Sequence, residues 1–419
     1  MAATVHIVGA GIAGLSAAVE LAGANVAVVV HEGAGHAGGR CRSFHDDTLG
    51  CSIDNGNHLL LSGNRAAVAY LERIGARGTL HEADAVFPFL DLRTGARWDI
   101  RPSPGPFPRW VLSAATRAPE TSAMDYLRGL ALAFAGRRFT VAEALGLPKG
   151  APAREKFWDP LTIAVLNAEA EEVAATLLWA VLRETVGRGA HACRPLIAKQ
   201  GLGPSLIDPA LAYLARRGAN IRFNARLRGF DFAGGVARAI RFTDGEVALK
   251  DGDSIVVALP HGLIGEFLPG IPTPEGARAI VNAHFRVPLR LGAPRLLGLV
   301  GGTAQWVFVR ETVASVTVSA ADRLAEEDLG AIAERVWADV RQALDLGAAA
   351  LPPHRIVKEK RATFPQTPAN LPRRAGTATP WRNLFLAGDW TDTGLPATLE
   401  GAIRSGVSAA RAALGPRAS

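Results

Sequence analysis

Val5-His6-Ile7-Val8-Gly9-Ala10-Gly11-Ile12-Ala13-Gly14, near the head of the chain, decides how the rest is read. Val5 to Val8 is β-branched and closed by glycine, the signature of a buried strand. Leu15 to Ala22 follows with helical apolar spacing, and Val26 to Val30 forms a second buried strand that ends at Glu32. Strand, glycine turn, helix and strand within about thirty residues make a βαβ unit. In such a unit Gly9 allows the tight turn, Gly11 lets backbone approach a pyrophosphate, and Gly14 lets the helix lie close to the sheet. Ile12 and Ala13 open the helix, where free N–H groups and the dipole favour an anion. Glu32 is placed to accept from ribose hydroxyls, and its charge disfavours a 2′-phosphate. A glycine turn alone is as often a packing device; the two strands and the terminal acid make dinucleotide binding the expectation.

The composition agrees with a globular protein. The chain has 419 residues, 48% hydrophobic and 20% charged, which excludes disordered and collagen-like classes. Cys41, Cys51 and Cys193 lie far apart without metal or disulfide spacing, so no metal and a reducing cytoplasmic compartment are expected. Ile7 to Val19 has the apolarity of a signal-peptide core, yet no Lys or Arg precedes Arg40, so a leader is not expected. No uncharged apolar run reaches the ~18 residues of a spanning helix. The net charge of +7 invites an acidic partner. With 6% aromatic residues and no long basic run, nucleic acid is not expected and an anionic membrane surface is the better match.

Strand and helix patterns recur after residue 190. Ala210 to Leu214 reads as helix, and Asn220 to Asn224, Ala225 to Gly229, Val236 to Phe242 and Ser254 to Pro260 read as strands. Asn383 to Ala387 is another strand, and Pro396 to Leu414 a helix with Pro in its first turn. Between them, 76–190 contains an irregular Pro-rich portion at Arg101 to Pro108 and then mostly helical patterns, while 261–374 holds strands at Gln305 to Arg310 and Ala314 to Ser319 and a helix over Leu324 to Ala343. The expected architecture is α/β: a nucleotide domain from 1–75, 191–260 and 375–419, with a mixed α/β substrate domain from 76–190 and 261–374.

Two more motifs bear on a nucleotide. In Gly38-Gly39-Arg40, Gly39 offers backbone approach and Arg40 charge for a second phosphate contact, unless the loop is merely flexible. Gly388-Asp389 ends a strand where a flavin ribityl chain would lie, and Thr398-Leu399 begins a helix facing the flavin pyrimidine edge.

These motifs, with Asp54-Asn55-Gly56-Asn57-His58, Phe157-Trp158-Asp159-Pro160-Leu161, Asn167, Gln305-Trp306-Val307-Phe308, Lys358 to Phe364 and Ala387 to Gly394, resemble the FAD-dependent amine oxidase and phytoene desaturase superfamily. More narrowly they resemble the squalene-associated FAD-dependent desaturases, or hydroxysqualene dehydroxylases. The resemblance spans nearly the whole chain, with Asn57 where Gln is commoner and Leu395 where an aromatic is commoner. It implies a glutathione-reductase-type Rossmann FAD domain, FAD as cofactor with Asn57, His58 and Leu227 among its contacts, and hydroxysqualene as substrate. It also implies contact with a membrane and with other squalene-pathway enzymes, at the cytoplasmic face of the inner membrane.

Departure of an allylic hydroxide needs a general acid. Asp54, His58, Asp392 and Glu400 are the candidates, against structural readings of Asp54 as a turn-former and Glu400 as a partner of Arg404. Trp158 and Trp306 are pocket or core, and Asn167 a site residue or a helix-surface amide. Lys358 to Arg361 reads as a solvated strand face. Arg109 to Arg138 mixes arginines with Trp110, Leu112, Leu130 and Phe134; it either lies in a membrane interface or packs on its own domain. A carotenoid-type desaturase, an amine oxidase and a non-catalytic squalene carrier remain alternatives; three tyrosines in all supply no obvious aromatic amine cage.

Overall fold

The computed structural model describes residues 3–288 and 294–415. Five parallel strands form one sheet in the order Asn220–Arg222, Ala27–His31, Thr4–Val8, Ser254–Val257 and Leu384–Leu386. The strands come from the start, middle and end of the chain. The inner strands are mostly apolar on both faces because both are covered, while the edge strand Asn220–Arg222 is polar and partly exposed. Ile7, Val30 and Val256 face the helix Ile12–Gly23 and its neighbours, while Val8, Ile255 and Val257 face an antiparallel layer of Leu227–Ala233, Val236–Phe242 and Gly245–Ala248.

The helix Leu399–Ala413 crosses Ile12–Gly23 at very short range. A Cβ on Gly406 would lie 2.0 Å from Ser16 Oγ and 2.1 Å from the Ala13 carbonyl oxygen. Only glycine permits that approach, which brings the two helix starts to the same region above the sheet.

A second sheet of seven strands runs His354–Thr363, Arg278–Arg286, Val313–Val318, Trp306–Arg310, Leu296–Val300, Phe87–Asp91 and Arg97–Ile100. Its pairings are antiparallel except between Leu296–Val300 and Phe87–Asp91. One face, with Val281, Val307 and Val316, packs on Ile332, Val336 and Trp337 of the helix Leu329–Ala343. By strand alternation the other face carries Asn282, His284, Ser315, Thr317, Trp306, Phe308 and Phe89. Beyond it lie short helical turns whose core is Trp110, Tyr126, Phe157 and Trp158.

Several local expectations shift. Strands at Phe87–Asp91 and Arg97–Ile100 precede the Pro-rich portion, in a stretch for which no strand was expected. Pro88 conceals the first, yet it precedes Phe89, where the parallel ladder begins, so its missing N–H costs nothing. The last helix starts at Leu399, capped by Thr398, whose hydroxyl accepts from the Gly401 N–H; Pro396 lies outside its first turn. The helix expected from Leu324 divides, because Asp328 caps a new start by accepting from Gly330 and Ala331. Asn167 is no surface amide: it is buried, left-handed at φ 54°, and bonded to Thr363 and the Ala320 N–H.

Candidate active site

The glycine turn and the end of the second strand are tied together by backbone. Gly9 donates to the His31 carbonyl, and Gly38 to that of Ala10. The Glu32 carboxylate accepts from Ala10 N at 2.7 Å and Ala34 N at 2.9 Å, so each oxygen keeps a further lone pair. A Cβ on Gly14 would lie 1.9 Å from the Gly9 oxygen, whereas one on Gly11 meets no atom within 4 Å. Gly14 therefore serves the protein's own packing, and Gly11 faces open space. The helix Ile12–Gly23 has neither a side-chain cap nor an acid in its first turn. Its first N–H groups, together with Gly11 and Glu32, fit the pyrophosphate and ribose of a dinucleotide.

In the Gly39-Arg40 loop, the expected second phosphate contact, Arg40 also has partners within the protein. Arg40 Nη2 pairs with Asp389 Oδ1 at 2.8 Å, and Nη1 donates to the Ala362 carbonyl. The Asp389 carboxylate raises the guanidinium pKa still further. Gly388 donates to buried Ser405 Oγ at 2.8 Å. Arg374, which sequence reasoning passed over, is buried and donates to the carbonyls of Trp390 and Thr391, fixing the loop after Asp389. The Thr398 hydroxyl covers Gly401, which leaves the Leu399 and Glu400 N–H groups without intrahelical acceptors.

Two of the four acid candidates are committed elsewhere. Asp54 is buried, accepts from Ser43 Oγ at 2.5 Å and Leu202 N at 2.8 Å, and pairs with Arg310 at 2.7 Å. Glu400 accepts from Ala66 and Ala67 at the start of helix Arg65–Arg73 and pairs with Arg404 at 3.0 Å. Both carboxylates thus hold the fold. His58 stands near Arg40; burial, reinforced by that cation, lowers its pKa to about 4, so its ring is neutral at neutral pH. Asp392 is exposed and accepts from Gly394 N. Leu227 is buried in the layer beneath the first sheet. Trp158 is core, its indole donating to the Asp125 carbonyl.

Across from this region the seven-stranded sheet presents a polar group beside an aromatic surface. Asn57 Nδ2 donates to Thr317 Oγ1 at 3.2 Å, and Thr317 donates to buried Asn282 Oδ1 at 2.9 Å. Trp306 is opposite Thr317 in the ladder, and its ring meets Phe89 edge-on at 5.3 Å. Phe308, Leu296, Ile197 and Leu59 continue the apolar surface. Sequence reasoning found Asn57 and Trp306 but missed Asn282 and Thr317; period-two alternation in Arg278–Arg286 and Val313–Val318 was the available signal.

Residues 12–414 match the family model of flavin containing amine oxidoreductases, and the chain belongs to that family. It is an FAD-dependent oxidoreductase. Within the family its kin are proteins named hydroxysqualene dehydroxylase, from Rhodopseudomonas palustris at 44% identity over 98% of both chains and from Sinorhizobium fredii at 42% over 99% of both. Among solved structures, putrescine oxidase bound to putrescine has a TM-score of 0.71 at 16% identity, covering 98% of both chains. Cyclohexylamine oxidase from Brevibacterium oxydans gives 0.71 at 15% identity over 98% of both; these two show the fold.

Proposed function

We propose that this chain reduces hydroxysqualene to squalene, with Gly11, Ile12, Ala13, Glu32 and Gly39 holding the pyrophosphate and ribose of FAD and Gly388, Asp389, Thr398 and Leu399 the flavin end. Bound FAD in its reduced form supplies the hydride. The observation that carries the substrate reading is the meeting of Asn57 and Thr317 with the apolar surface of Phe89, Trp306 and Phe308. That surface suits a polyprenyl chain, and the two polar side chains suit one hydroxyl.

In the reaction the allylic C–O bond breaks, a C–H bond forms with the hydride, and the hydroxyl leaves as water after taking a proton. Asn57 and Thr317 orient the hydroxyl, while the aromatic faces exclude water and lie against the developing allylic cation. Asp54 and Glu400 are paired, so His58 and Asp392 are the groups left to deliver the proton, His58 only after its ring has taken one up as imidazolium. Such a hydrocarbon partitions into bilayers, which puts the protein at a membrane surface alongside the enzymes that supply and consume its substrate and product.

The test is anaerobic incubation of the flavin-loaded protein with hydroxysqualene and a chemical reductant, followed by product analysis. Squalene is expected. New double bonds in squalene or phytoene would instead identify a desaturase, and a flavin-loaded protein inert under every reductant would identify a carrier. The three tyrosines, Tyr70, Tyr126 and Tyr213, are buried in the helical layers, which speaks against an amine cage built from tyrosine.

A further inference from the structure

We infer that residues 107–139 form a surface that docks on an anionic lipid bilayer. The inference rests on the polyprenyl substrate proposed above. Of the nine large apolar side chains that are exposed among the described residues, Phe107, Leu112, Met124, Leu130, Phe134 and Phe139 fall in this stretch. Phe134 is 89% exposed, Phe107 72% and Leu112 71%, far beyond the scattered exposure normal for a water-soluble face.

The stretch is ordered as a layer and not as one amphipathic helix. The turn Arg109–Leu112 packs on the helix Ala123–Leu127, which packs on the turn Arg128–Ala133. Trp110, Tyr126 and Leu132 are buried beneath, so the outer side chains have no inward position left to take. The sequence expectation of a membrane segment or a self-packed segment resolves into both, with one set of side chains for each side.

Charge selects the occupant. Arg109, Arg117, Arg128, Arg137 and Arg138 lie among these apolar side chains, and among the described residues no carboxylate pairs with any of them. The two acids of the stretch are engaged, Glu120 with Lys156 and Asp125 with Ser122. Apolar side chains beside unpaired cations match acyl chains beneath anionic headgroups. A protein partner of ordinary composition would leave the arginines uncompensated.

The layer also leads to the site. Trp110, Tyr126, Phe157, Trp98 and Phe89 belong to one contiguous apolar cluster, and Trp306 packs against it. The exposed layer and the aromatic surface beside Thr317 therefore rest on one shared core.

The test is flotation of the flavin-loaded full chain with vesicles of phosphatidylglycerol or of phosphatidylcholine. The wild type should float with the anionic vesicles. R137Q/R138Q should weaken that binding by about thirtyfold, the effect of two cations at such a surface. L112D/F134D should abolish it, with flavin content and turnover of detergent-dispersed hydroxysqualene retained. A wild type that floats with neither vesicle, or variants that float like the wild type, would overturn the inference. So would a dimer in solution that L112D/F134D dissociates, since a second copy would then cover this face. Flotation without any squalene formation would leave the docking surface standing and sink the substrate reading instead.

Discussion

Arg40 Nη2 and Asp389 Oδ1 lie 2.8 Å apart, joining the loop after the second strand to the end of the last strand across 349 positions of sequence. Arg40 is partly exposed and Asp389 nearly buried, so the pair contributes little to global stability and much to holding the two loops that are proposed to frame the flavin. Arg40→Met leaves the Asp389 carboxylate uncompensated. It should weaken FAD retention by about tenfold or more, whereas Arg40→Met with Asp389→Asn should lose less than the two single changes combined. Flavin content after dialysis of the four proteins measures that coupling; strict additivity would show that the pair does not frame the cofactor.

The glycines of the first turn separate cofactor from fold. Gly11→Ala places its Cβ in space that no protein atom occupies, so the apoprotein should melt like the wild type while FAD binding falls steeply. Gly14→Ala drives its Cβ against the Gly9 oxygen and should lower the melting temperature itself, by the equivalent of about 1–3 kcal/mol. Calorimetry with and without added FAD distinguishes the two. A Gly11→Ala protein that keeps its flavin would show that this turn holds no pyrophosphate.

The nucleotide-binding half was legible because its signals are local. Strand, turn, helix and acid sit within one stretch, and its two strands are mostly apolar runs, so no tertiary knowledge is needed to read them. The substrate half was not, for the opposite reason. Asn282 and Thr317 are polar yet buried, and a strand whose second face is polar reads as half solvated. Asp54 reads as a candidate acid or a turn-former because it lies in a conspicuous motif; its partner Arg310 arrives from a distant strand that spacing alone does not bring near.

Asn57 and Thr317 give the proposed chemistry its clearest handle. Asn57→Ala removes a donor aimed at the region of the reacting hydroxyl and should lower kcat by about tenfold to a hundredfold with FAD content unchanged. Thr317→Val also removes the shorter of the two hydrogen bonds to Asn282 Oδ1, leaving the Asn57 N–H at 3.4 Å, which should add a stability loss of about 1 kcal/mol. Kinetics with hydroxysqualene and thermal melts measured in parallel check both. Unaltered turnover in Asn57→Ala would move hydroxyl recognition away from this group.

His31 makes acid stability testable. Its ring stacks on Phe242 at 4.4 Å, meets His6 Nδ1 at 3.2 Å and lies near Arg222, with Asp244 opposing that cation. Burial, with smaller contributions from His6 and Arg222, lowers its pKa to about 3, and burial lowers that of His6 as well. In the unfolded chain both rings protonate near 6.5, so between about pH 6.5 and 3 the unfolded state binds more protons than the native one. Stability from His31 is therefore complete above pH 6.5 and is lost on acidification, by ~1.4 kcal/mol per pH unit in the middle of that window. His31→Asn should lower the melting temperature at pH 8 by removing the stacked ring, yet give a shallower decline between pH 6 and 4 than the wild type. Parallel acid-limb slopes in the two proteins would show that His31 does not carry this proton linkage.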